Sequence, residues 1–229
     1  MAERKRGFFG WTWFVVWRFL LLLLLSLLAL LLVLRFVPPP TSSFMLQSPY
    51  PVTQYWISID QLPAHVPLAM VASEDQRFPE HFGVDWAEVS KALEQYDGGA
   101  GLRGASTITQ QTAKNLLLWP GRSIGRKGME AMLALGLEAI WGKKRILEVY
   151  LNIAEFGQGI YGVEAASQHY FGKSASRLSV NEAARLAVLL PSPRNRDPRQ
   201  LTPYLQQRVT WVERQMQQLG AGYLKPILD

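Results

Sequence analysis

Ser106-Thr107-Ile108-Thr109-Gln110-Gln111-Thr112-Ala113-Lys114-Asn115-Leu116-Leu117-Leu118 reads as a helix that carries its own start signal. Thr107 and Gln110 stand at the spacing at which a threonine hydroxyl and a glutamine side chain satisfy each other's backbone amides at a helix head. The pattern recurs on both sides. Asp85-Trp86-Ala87-Glu88 opens a helix through Tyr96 that stops at Asp97-Gly98-Gly99, and Ser179-Val180-Asn181-Glu182 caps another that ends before Pro191. Residues 124–141 and 144–156 are apolar at helical spacing, and Thr202 or Pro203 starts a last helix running to about Leu219 and closed by Gly220. The one plausible strand lies near 52–59, and the glycine-rich run from Asp97 to Gly104 reads as a mobile loop. The fold class is therefore mostly α.

Upstream, residues 20–34 are apolar except for Ser26, and Trp11, Trp13, Phe14, Val15, Val16 and Trp17 extend that character towards the N-terminus. This is enough for the roughly 20 residues that cross a hydrocarbon core of about 30 Å. Arg18 interrupts the run and is tolerable near a helix end, where it can snorkel to the headgroups. The expected organisation is a cytoplasmic tail and aromatic belt over 1–18, one transmembrane helix over 19–37, a Pro/Ser linker over 38–43 and an exported domain over 44–229. Arg4, Lys5 and Arg6 precede the span, so the positive-inside rule sets the N-terminus in the cytoplasm. A cleaved signal peptide is the alternative, but Leu34-Arg35-Phe36-Val37-Pro38 offers no small-residue cleavage site.

The chain has 229 residues, no cysteine and a net charge of +6. Thiol catalysis and a disulfide framework are excluded. Residues 1–37 hold five Lys/Arg against Glu3, so most of the excess is a topology signal and nucleic-acid binding is not indicated. The exported part is long enough for one domain with a sizeable core.

Within that domain two carboxylates, Glu74 and Glu130, flank a segment that carries only positive charge. Between Asp97 and Glu130 there is no acid, yet Arg103, Lys114, Arg122, Arg126 and Lys127 all fall there. Proton-transfer groups on either side of a cationic cradle suit a reaction whose leaving group is a phosphate or diphosphate. Each residue also has a plain reading. Glu130 shares a helix face with Lys127 and Arg126 and could form a routine ion pair. Ser106, Thr107 and Gln110 could simply cap a helix, although a helix N-terminus also binds anions. Lys173, in Tyr170-Phe171-Gly172-Lys173, is as well explained as a solvated lysine. Leu116-Leu117-Leu118-Trp119-Pro120 suits either a headgroup boundary or a buried helix end. No convincing metal-ligand cluster is present.

Four motifs then occur in order: Glu74-Asp75-x-x-Phe78-x-x-His81-x-Gly83, Gly104-x-Ser106-Thr107-Ile108-x-x-Gln111, Arg126-Lys127-x-x-Glu130, and Lys143-x-x-Ile146-Leu147-x-x-Tyr150-Leu151-Asn152. Together they resemble the bacterial peptidoglycan glycosyltransferase family, over roughly residues 44–219. The resemblance implies a single lysozyme-like helical domain behind the transmembrane helix. It also implies polymerisation of lipid II into β-1,4-linked glycan, with release of undecaprenyl diphosphate and inversion of the donor anomeric centre. Glu74 would be the base acting on a sugar 4-hydroxyl, and Glu130 an assisting acid near the diphosphate. Lys114, Arg122, Arg126, Lys127, Ser106, Thr107, Gln110, Gln111 and Asn115 would contact diphosphate or sugar. Asp75, Phe78, His81, Gly83, Tyr150 and Asn152 would support them. No cofactor is required, although a divalent cation (magnesium or manganese) at the diphosphate stays open. The partners would be lipid II, the growing strand, the membrane and other cell-wall synthesis or division proteins. Ser-x-x-Lys and Lys-Thr-Gly motifs of the bifunctional penicillin-binding relatives do not occur, so the chain resembles the stand-alone members. The competing readings are a lysozyme-like glycan-cleaving enzyme and a non-catalytic cell-wall scaffold.

Overall fold

The computed structural model describes residues 3–97, 106–121 and 123–228. The glycine-rich run expected as a loop after Asp97 lies outside the described residues, as do Arg103 and Arg122. The chain divides into two compact units, Met1–Pro38 and Pro39–Asp229.

The first unit is one helix, α1 (Glu3–Leu34). Its segment Gly10–Leu34 is long and apolar enough to cross a membrane, by length and composition. The helix stops at Leu34, not at Val37 as the sequence suggested, and it runs unbroken through the tryptophans. Arg18 therefore lies inside the apolar helix, where its guanidinium stacks 4.1 Å from the ring centroid of Phe14, one turn back. Such stacking shields the charge along the helix surface.

The second unit is helical, with one small sheet. Its helices are α2 (Ser43–Leu46), α3 (His65–Glu74), α4 (Trp86–Asp97), α5 (Ile108–Leu117), α6 (Ile124–Ile140), α7 (Lys143–Ile153), α8 (Val163–Phe171), α9 (Val180–Ala187), α10 (Pro203–Leu219) and α11 (Lys225–Leu228). The predicted caps hold. Thr107 and Ser179 each complete a reciprocal capping box, with Gln110 and Glu182 respectively, and Thr202 caps α10. Asp85 Oδ1 accepts the amides of Ala87 and Glu88, while the Glu88 side chain pairs outward with Lys91.

Two helical groups make the core. α3 packs against α9 and α10, and α5 packs against α6 and α7. α7 is deeply enclosed: Ile146, Leu147, Val149, Tyr150, Leu151 and Ile153 are all fully buried. Each large apolar side chain removed from water in this way stabilises by about 1.5–3 kcal/mol.

The sheet differs from expectation. Its order is β1 (Thr53–Gln54), β3 (Ile160–Tyr161), β2 (Glu155–Gly157), so only two residues of the anticipated strand near 52–59 are extended pairs. β1 runs parallel to β3 with Thr53 opposite Ile160, and β2 is antiparallel to β3. The helix expected over 144–156 ends at Ile153, and Phe156 belongs to β2. Gly159 makes this turn possible: its φ is +75°, and a Cβ there would meet Pro51 O at 2.2 Å. Asn152 ties the sheet side to α7. Its Oδ1 accepts Ile57 N at 2.8 Å and its Nδ2 donates to the carbonyls of Ile57 and Glu148.

Candidate active site

Glu74 is the last residue of α3, a helix whose residues from Val66 to Ala72 are all buried. The core thus fixes its backbone while its side chain reaches a cleft of about 350 Å³, lined also by Ser73, Asp85, Glu88, Ser106, Thr107 and Trp211. The carboxylate is part-open to the cleft yet closely packed. Burial pushes it above its ordinary value, and hydrogen bonds from Gln111 and Ser73 and the charges of Arg208 and Lys114 oppose that rise. Gln111 Nε2 donates to Glu74 Oε2 at 3.0 Å, and Ser73 Oγ donates to Oε1 at 3.5 Å. Tyr150, fully buried on α7, donates its hydroxyl to Gln111 Oε1 at 3.4 Å. Burial, then the neighbouring Glu74 charge, hold that phenol well above its usual range, so it stays a donor.

Asp75 does the anchoring. Its Oδ2 accepts the amide of Ile108, the first residue of α5, at 2.8 Å, and both its oxygens lie 3.0–3.1 Å from His81 Nε2. This carboxylate locks the end of α3 to the head of α5, where the helix dipole also favours it. Gly83 completes the junction: its carbonyl accepts Thr107 Oγ1 at 2.6 Å, and its φ is +68°. A Cβ on Gly83 would sit 3.1 Å from the backbone of α6 at Ala134. Phe78 is fully buried beneath, with Lys143 Nζ 4.3 Å from its ring centroid. Gln110 and Thr107 are buried in the cap, and Thr107 also edges the cleft.

α5 presents Gln111, Lys114 and Asn115 one turn apart, with Asn115 buried. Lys114 lies within electrostatic reach of Glu130, Arg126, Lys127 and Glu74, and forms no ion pair among the described residues. Burial lowers its pKa, the Glu130 charge raises it, and the two cations of α6 lower it further. Its nearest aromatic is Phe44 of α2, 5.6 Å from Nζ to the ring centroid.

Glu130 lies on α6 and is buried. Arg126 Nη1 donates to its Oε2 at 3.3 Å, Lys127 Nζ binds Oε1, and the same Nζ donates to Ser106 Oγ at 2.8 Å. The two carboxylates are therefore unlike. Glu74 is held by neutral donors and faces a cleft; Glu130 is neutralised by two cations. Arg126 is itself buried, and its Nε has no partner among the described residues. An unmatched buried donor beside an unpaired lysine is suited to an incoming anion.

The sequence reading did not anticipate two residues at the cleft, Trp211 and Arg208 of α10. The Arg208 guanidinium stacks 4.2 Å from the Trp211 ring centroid, and its charge is felt at Glu74. α10 reaches the site by packing on α3, and just past the end of α3 Gln76 Nε2 donates to Gln215 Oε1 at 3.1 Å. Lys173 is not at this site: it pairs with Glu182 at 2.7 Å. In the run 116–120, Leu116 and Leu118 are buried, as a helix end in the core would be, while Trp119 is exposed. Among the described residues no group of three or more His, Cys, Asp or Glu could hold a metal.

A packed helical domain that sets one carboxylate at a cleft and a second among cations is a frame suited to group transfer. The chain belongs to the Transglycosylase family, whose model matches residues 43–217. It is 80% identical over 228 residues to the biosynthetic peptidoglycan transglycosylase of Shewanella frigidimarina, spanning 100% of this chain and 99% of that one. It is 75% identical over 229 residues to the protein of the same name from Shewanella denitrificans, and 72% identical over 229 residues to that from a Marinomonas species. Both alignments span 100% of each chain.

Proposed function

We propose that this protein is a membrane-anchored peptidoglycan glycosyltransferase that polymerises lipid II. The reading rests above all on the contrast between the carboxylates: Glu74 stands at the cleft without an ion-pair partner among the described residues, while Glu130 organises two cations, of which Arg126 retains an unused donor. The 4-hydroxyl of one sugar attacks the anomeric carbon of another, and Glu74 takes the hydroxyl proton. The bond from that carbon to the diphosphate oxygen breaks, and its electron pair leaves with undecaprenyl diphosphate. Lys114, Arg126 and Lys127 offset the charge that develops on the leaving group. Displacement from the opposite face turns an α-linked donor into a β-1,4 link.

A raised carboxyl pKa is also what a glycan-cleaving enzyme uses in its proton donor. Burial makes Glu74 a stronger base by the same amount, so the shift alone does not separate the two chemistries. The cations do, because a departing sugar alkoxide that is protonated has no use for them. Both oxygens of Glu130 already bind cations, so Glu130 does not fit a ligand role for a divalent ion, and no step is assigned to one. In this reading Gly10–Leu34 anchors the chain in the bacterial cytoplasmic membrane with the catalytic unit outside, and the exposed Trp119 and Ile124 suit a headgroup boundary.

Product identity tests the proposal. Labelled lipid II incubated with the detergent-solubilised protein should give polymer that a muramidase degrades to disaccharide-peptide. Release of fragments from finished peptidoglycan, with no polymer from lipid II, would replace synthesis by cleavage.

A further inference from the structure

Trp211, which edges the cleft at Glu74, borders a second space as well. The same side chain lines a groove of about 650 Å³ along α10, walled by Leu201, Pro203, Gln206, Gln207, Thr210 and Arg214. Its volume lies within the about 300–1,000 Å³ typical of ligand clefts. Trp211 is half-buried and lines both spaces, with Arg208 stacked on it at 4.2 Å. We propose that this face of α10 is a saccharide subsite, holding the sugar units of the glycan that lie next beyond those reacting at Glu74.

The chemistry of the groove selects that occupant. Two carboxamides and a hydroxyl both donate and accept hydrogen bonds, which matches sugar hydroxyls and N-acetyl groups. An indole offers a flat apolar surface for the C–H face of a pyranose ring and a polar N–H at its edge. Among the described residues no carboxylate lines the groove, and Arg214 can meet a carboxylate on the peptide substituent of an amino sugar. A single arginine is too little cationic surface for a phosphate-rich polymer, and the glutamines are too polar for a lipid tail. The place of Trp211 decides the rest: it borders both spaces, so a chain reacting at Glu74 and leaving on this side must cross the indole. The position of α10 is not incidental, since it packs on α3, the helix that carries Glu74.

The inference rests on the glycan-polymerising reading, and the test separates the two. A peptidoglycan fragment of eight sugars with its stem peptides is titrated against the full-length protein in detergent by calorimetry, beside an assay of polymer length from lipid II. Trp211→Ala should weaken fragment binding about ten-fold, and Trp211→Phe, which keeps an aromatic face, only about three-fold. The exposed pair Gln207→Ala with Thr210→Ala should weaken it about five-fold, shorten the polymer and leave the initial rate of lipid II consumption within about two-fold. Unchanged affinity and polymer length in the Gln207/Thr210 double variant would overturn the subsite, whether or not Trp211→Ala folds. Fragment binding that depends on α10 in a wild-type protein inert on lipid II would instead overturn the polymerase reading and leave the subsite standing.

Discussion

Gln111 donates its side-chain amide to Glu74 Oε2 at 3.0 Å, while the buried Tyr150 hydroxyl donates to the carbonyl end of that same amide. The phenol thereby fixes which end of the amide faces the carboxylate. An N–H directed at a carboxylate favours its ionised form. Gln111→Ala should therefore raise the Glu74 pKa further and move the acidic limb of the kcat/KM profile to higher pH. Tyr150→Phe should act in the same direction and more weakly. An unmoved acidic limb in Gln111→Ala would show that this hydrogen bond does not tune the base.

The wild-type pH profile should be a narrowed bell. Burial raises Glu74 from its ordinary 4.5 and lowers Lys114 from its ordinary 10.5, so both limbs move inward. In the proposed mechanism activity requires Glu74 ionised and Lys114 charged. Lys114→Arg, whose guanidinium does not titrate in this range, should remove or shift upward the basic limb if any activity survives. The kcat/KM profile of the two proteins from pH 5 to 10 reads this directly.

Stability carries a matching signature. The folded-state value of Glu74 lies above its unfolded one, so folding favours its protonated form. Its contribution is fully present below the unfolded value and is lost as pH rises through the folded one. Glu74→Gln should thus be at least as stable as wild type at pH 7, by up to about 1 kcal/mol, measured as a shift in denaturation midpoint. A clear loss of stability would mean that the carboxylate is held by favourable contacts rather than exposed to a burial penalty.

Asp75 should behave in the opposite way. Asp75→Ala strips the acceptor from the Ile108 amide and the partner from His81, both at the α3–α5 junction. A loss of about 1–3 kcal/mol is expected, seen as a lower midpoint with an unchanged denaturant slope. Glu130→Ala leaves the buried Arg126 without its counter-ion and should cost about 3–5 kcal/mol. Glu130→Gln should fold better and still lose activity, because Lys127 and Arg126 lose their fixed geometry.

The helices that announce themselves chemically were legible: α5, α9 and α10 begin at Thr107, Ser179 and Thr202, whose side chains cap the first turn. α3 was not. It is apolar on every face because it is buried all round, it contains Pro67, and Ala64 gives it no side-chain cap, so no period and no start signal mark it. α8 starts at Gly162 with no capping side chain, and strands of two or three residues are too short to show alternation. The motifs located Glu74 and Glu130 and their near neighbours on α5 and α6. They could not locate Trp211, which lines the cleft with Glu74, or Arg208, whose charge acts on it, because both come near only when α10 folds back on α3. The amphipathic pattern of α10 accounts for its burial and gives no hint of which polar residue reaches a distant cleft.

The most direct test is lipid II turnover by wild type beside Glu74→Gln at pH 7, with polymer resolved on a gel. The account predicts glycan polymer from the wild type and a rate lower by about 10²–10⁴-fold in the variant, the usual contribution of a positioned base. Polymerisation by Glu74→Gln at close to the wild-type rate would contradict it.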